Sequence, residues 1–186
     1  MTDKPSINPE SEIVELSEQI TKKFNEVKNW HDQTTMAFLS QTQKMANTGF
    51  LCGESPELKK KDISYAGKNA GTLQSDFLIA GRNLSRMMKD AIIALASADS
   101  AYELPNQPAL QLVEATIDNV VNSIYDPSRL GLGEETKNVA NLEFFLATMR
   151  PYILGFCKSA QETSELIKER ARIIRDTREK VIEVIV

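Results

Sequence analysis

A chain of 186 residues with 41% hydrophobic content is long enough for one domain with its own core. A net charge of −4 and a pI of about 5.2 argue against broad contact with nucleic acid, because phosphate binding needs a basic face. Few glycines and prolines (8 and 7) and only 6% aromatics, among many Ala, Leu, Ile, Glu and Lys, favour helix over sheet.

The two cysteines, Cys52 and Cys157, are too few for a disulfide scaffold and too widely spaced for a zinc motif. They read as free thiols in a reducing compartment. Met1 to Pro5 has no apolar stretch of the signal-peptide kind, and no run of about 20 apolar residues lacks charge. The expectation is a cytoplasmic protein.

Residues 1–8 are polar and read as a flexible segment, with residues 9–186 forming a single domain. Asn8 caps a first helix, Pro9 suits its first position, and Glu10, Glu12 and Glu15 complement its dipole. Ile13, Leu16, Ile20, Phe24, Val27, Trp30, Phe38 and Met45 mark its apolar face, and Gly49 stands where it should end. Phe50 to Pro56 is a connection. Ser55-Pro56 starts a second helix, expected over residues 56–102 and bent near Gly67 to Gly71. Its face is Ala66, Ala70, Leu73, Phe77, Ala80, Leu84, Met87, Ala91, Leu95 and Ala98. Small residues on and beside it, Gly81 among them, allow another helix to approach closely.

Glu103 to Pro108 is a stop and restart. Leu110, Val113, Ile117, Val120, Val121 and Ile124 form the face of a shorter third helix, which ends at Tyr125-Asp126-Pro127. The last helix starts near Glu134 and carries its stripe through Leu146, Met149, Ile153, Phe156, Ala160, Thr163, Ile167, Ala171, Ile174, Val181 and Ile185. Pro151 removes one backbone hydrogen bond and should kink it.

No stretch alternates as a half-buried strand does. The fold expected is all-α: an antiparallel four-helix bundle of unequal helices, the long last one kinked near Pro151. The lengths conflict. The third helix spans about 30 Å, whereas the second and fourth, unbroken, would each exceed about 60 Å. Either the long helices break, or the end of the last one projects and needs a partner. The candidate partner interface is therefore Ile167, Ile174, Val181 and Ile185, with Arg172 and Arg175 beside them.

The single histidine, His31, excludes paired Glu-x-x-His di-iron ligands and the His-Glu-x-x-His zinc motif. His31-Asp32 is half of a catalytic triad by spelling. The blander reading, a polar residue beside Trp30 on a helix shoulder, is preferred. There is no P-loop, and Gly131-Leu132-Gly133 lacks a preceding strand. Glu134-Glu135 is explained by the helix dipole, and Asn83-Leu84-Ser85 is a glycosylation sequon in spelling only. Cys157 beside Phe156 reads as a small buried hydrophobe. No cofactor or metal is expected.

Charge is uneven along the chain. From Asp90 to Glu143 nine acids face only Arg129 and Lys137, while from Arg150 to Ile182 eight bases face five acids. An acidic body with a basic tail would let like molecules meet head to tail. The reading is a non-enzymatic helical-bundle protein of the coiled-coil kind. It works through contact with a protein partner or as a homo-oligomer, joined through the last helix. The alternative is a helical protein that associates with or inserts into membranes, as pore formers do.

Overall fold

The fold begins with the cap. Asn8 Oδ1 accepts from the Glu10 N–H at 3.1 Å, and the Asn8 carbonyl accepts from Glu12 N at 3.2 Å. From there α1 runs Pro9–Thr48, 40 residues. The computed structural model of the chain describes residues 8–48, 70–100, 107–131 and 140–186. Three more helices follow: α2 (Ala70–Ser100), α3 (Gln107–Tyr125) and α4 (Ala140–Ile185). There is no strand among the described residues.

The apolar periods settle which faces turn inward. Leu16, Ile20, Val27 and Phe38 from α1 are buried, with Phe24 and Trp30 packed against them. From α2 come Phe77, Ala80, Leu84, Met88, Ala91, Leu95 and Ala98. The expected Met87 packs at the core's edge, and Met88 beside it is the fully buried one. α3 contributes Leu110, Val113, Ile117, Val120 and Ile124, and α4 contributes Leu146, Met149, Ile153, Phe156, Ala160 and Ile167.

Pairings between helices establish an up-down-up-down bundle. Against α4, α1 runs antiparallel: Ser17 meets Arg170, Lys23 meets Glu162, and Trp30 lies on Gly155. Against α2 it does the same, with His31 at Ser85 and Phe38 on Gly81. The third helix crosses α4 the same way, through Glu114 to Lys168 and the Tyr125 ring to Arg150. After α3, a 3-10 turn (Pro127–Leu130) is started by the Asp126 carboxylate accepting from Ser128 N at 3.2 Å. Gly131, at φ 77°, closes it in the left-handed region that glycine favours. Asn83 Nδ2 donates to the Leu130 carbonyl at 2.9 Å and ties the turn to α2, which gives the would-be sequon asparagine a structural task.

Two aromatic rings of α1 key into glycines of its neighbours. A Cβ on Gly155 would stand 2.8 Å from three Trp30 ring atoms, and a Cβ on Gly81 would fall within the Phe38 ring. At one end of the bundle the buried Arg170 guanidinium ion-pairs with the Asp99 carboxylate. It also donates to the Asp99 carbonyl at 3.2 Å and to Ser17 Oγ at 3.3 Å, joining α4, α2 and α1.

The length conflict resolves at the far end of α4, which is one continuous helix of 46 residues through Pro151. The proline costs one backbone bond, and core contacts of Met149, Ile153 and Phe156 on either side hold the helix together. Register set by Ser17 and Arg170 brings residue 178 level with Pro9. Residues 179–186 therefore extend about 12 Å past the start of α1 at 1.5 Å per residue. The expected connection at residues 50–56, the start of the second helix at Pro56 and Cys52 lie outside the described residues. So do Gly67 and the Glu134-Glu135 start of the last helix.

Candidate functional site

Of the residues expected to face a partner, Ile167 and Ile174 are buried, at 3% and 8% exposure. Their side chains are taken up by the chain's own core, because α4 is still flanked by α1 at that level. Of the α4 stripe, the part beyond residue 177 faces outward. Arg172 and Arg175 are exposed. Arg172 is held by Glu169 at 2.6 Å and Asp176 at 2.9 Å, and Arg175 lies 3.4 Å from Asp176. The Arg172 hydrogen bond holds the Glu169 carboxyl below the usual range. These arginines are thus occupied along their own helix.

Val181 and Ile185 stand exposed, together with Ile182, Val184 and Val186, the last fully so. At about 100° per residue, Val181, Ile182, Ile185 and Val186 share one arc of about 140°. Glu179 and Glu183 border that arc on one side, one helical turn apart.

A second feature lies toward the other end of the bundle. Between α1 and α2 is a groove of about 370 Å³. Phe38, Leu39, Leu78 and Gly81 form its floor, and Arg82, Arg86 and Lys89 form its rim. The three cations are spaced four and three residues apart, so they stand in a row on one face of α2. None of them has an ion pair among the described residues. Thr35 Oγ1, also lining the groove, is buried without a hydrogen-bond partner among the described residues.

Ser85, which lines the groove, belongs to an arrangement that resembles catalytic machinery among the described residues. His31 Nδ1 lies 3.2 Å from Asp32 Oδ1, and Nε2 lies 3.0 Å from Ser85 Oγ. A carboxylate can only accept, so Nδ1 carries the proton and Nε2 accepts from the serine hydroxyl. That is the order of nucleophile, base and orienting acid. The sequence offered no hint of it, since Ser85 lies 54 residues from His31. Comparison with protein-family models, with curated proteins and with solved structures found no match for the chain.

Two further observations weigh against acyl transfer at this trio. The Asp32 side chain is 76% exposed, so water competes for the histidine. Ser85 also sits in mid-helix, where neighbouring N–H groups are consumed by the helix itself. The helix around Ser85 therefore offers no pair of backbone donors to a developing oxyanion. The His31–Ser85 hydrogen bond also ties α1 to α2.

Cys157 is buried, as expected, and burial with the nearby Asp118 charge pushes its thiol up to about 12. Both effects disfavour the thiolate that nucleophilic attack and metal binding need. Among the described residues no group of His, Cys, Asp and Glu is placed to hold a metal, and no helix is long and apolar enough to cross a membrane.

Proposed function

We propose that this is a non-enzymatic interaction protein, a cytoplasmic helical bundle that binds a protein partner through the projecting end of α4. The partner favoured is a second copy of the chain. The observation that carries the reading is the exposure of five large aliphatic side chains within residues 181–186. Contiguous apolar surface beyond a core that is already closed marks a contact site more often than an accident of composition.

Magnitudes set the strength. Burying three Val or Ile side chains yields about 5–9 kcal/mol at the usual 1.5–3 each. Association alone costs about 4–15 kcal/mol. The contact is therefore weak and concentration-dependent rather than obligate. Sedimentation velocity on the full chain, with and without Ile182→Asp and Ile185→Asp, tests it. Average mass should rise with concentration for the parent and stay monomeric for the variant. A parent chain that remains a monomer throughout refutes the reading, and flotation of that monomer with anionic vesicles would turn it toward a membrane surface.

A further inference from the structure

We infer that the groove between α1 and α2 receives the projecting α4 end of a second copy, so that molecules join head to tail. This rests on the self-association proposed above and names the surface that completes it.

Three observations converge on this occupant. The first is charge. Arg82, Arg86 and Lys89 line one rim with no ion pair among the described residues, and Glu179 and Glu183 edge the apolar arc of the α4 end, equally without one. Arg82 to Arg86 and Glu179 to Glu183 are both separations of four residues, about 6 Å along a helix. Two carboxylates can therefore meet two guanidinium groups in step.

Size is the second. The groove is lined from Leu78 to Lys89, about 16 Å of helix, and the projecting end is about 12 Å long. Its volume of about 370 Å³ matches roughly a dozen liquid waters, enough for several branched side chains. The floor of Phe38, Leu39 and Leu78 is apolar, as Val181, Ile182, Ile185 and Val186 require, and Leu39 is 49% exposed.

Position is the third. Register places the α4 end beside the start of α1, while the groove begins at Thr35, about 27 Å farther along that helix from Ser17. Donor and acceptor surfaces thus lie toward opposite ends of one molecule. Such a heterologous contact does not consume both surfaces in a dimer, and it propagates.

The test is light scattering with sedimentation velocity over a wide concentration range. It uses the full chain, Arg82→Glu with Arg86→Glu, and Glu179→Lys with Glu183→Lys. All four side chains are exposed, so both variants should keep the parent's helical dichroism. The parent's mass should climb past the dimer without a plateau and fall back in high salt. Each variant alone should associate about tenfold more weakly or worse. An equimolar mixture should recover, because each variant's end then finds a groove of opposite charge.

A parent that stops at the dimer, with the groove variant unaffected, means that α4 ends pair with each other. Self-association then stands and the groove docking falls. A parent that is monomeric at every concentration removes both readings. A monomer that retains a single-chain fatty acid, lost in the Arg82→Glu, Arg86→Glu variant, makes a lipid the occupant and overturns the inference. So does a mixture that fails to recover.

Discussion

Gly81→Ala should destabilise the bundle, and its sign should reverse when Phe38 is removed. An added Cβ would fall within the Phe38 ring, so that ring must leave its place. Phe38 is 5% exposed, and truncating a buried phenylalanine costs about 3–5 kcal/mol. Displacing the ring forfeits most of that. Alanine returns up to about 1 kcal/mol through helix propensity. The net cost is about 2–4 kcal/mol, a fall in melting temperature of roughly 4–16 °C for a chain of this length. In a Phe38→Ala background the site is empty, the methyl fits, and Gly81→Ala should stabilise by up to about 1 kcal/mol. Urea unfolding followed at 222 nm on all four members of the cycle gives the coupling. If Gly81→Ala costs the same with and without Phe38, the ring does not rest on that glycine and α1 and α2 pack in another register.

Asp99→Asn should cost about 1–3 kcal/mol in urea unfolding, because it removes the carboxylate charge that meets the buried Arg170 guanidinium; Arg170→Met added to it should recover part of the loss. Native protein at pH 8 should leave Cys157 unreacted with iodoacetamide over times that modify the urea-unfolded chain fully, since it is buried and burial pushes its thiol up to about 12. A fluorophosphonate probe should not label Ser85, and His31→Ala should lower stability with no loss of esterase activity; specific labelling abolished by His31→Ala would reinstate the triad. The Lys23–Glu162 hydrogen bond lowers the Glu162 carboxyl and raises the Lys23 ammonium. Stability from the carboxylate is present above the usual carboxyl range and lost as pH falls through its lowered value; that from the ammonium is lost as pH rises through its raised value. Glu162→Gln should flatten the acid side of a melting-temperature profile.

Faces were legible in the amino acids; phases between faces were not. The period of three and four put Val113, Ile117, Val120 and Ile124 on one side of α3, and those residues are buried. Asn8-Pro9 announced the start of α1 because capping is a local matter of one side chain and two N–H groups. Pro151 marked a weak point of the last helix rather than its end. A proline removes one hydrogen bond, and a helix whose flanking turns bury Met149 and Phe156 can absorb that loss without stopping.

The reach of the α4 stripe was half legible for the same reason. From Ile167 to Ile185 the stripe keeps one rhythm, and nothing in its composition marks where the core ends. The boundary is imposed from outside, by where α1 begins when Arg170 is matched to Ser17, 153 residues away. The groove is a product of register too. Arg82, Arg86 and Lys89 look like an ordinary solvated face until Phe38 settles on Gly81 and opens an apolar floor beside them. A glycine in a helical stripe says that something comes close, but not which of several distant rings it is. Only packing chooses between Phe38 on Gly81 and Trp30 on Gly155, and that choice fixes both ends of the molecule at once: the projecting end of α4 through the α1–α4 register, and the groove through the α1–α2 register.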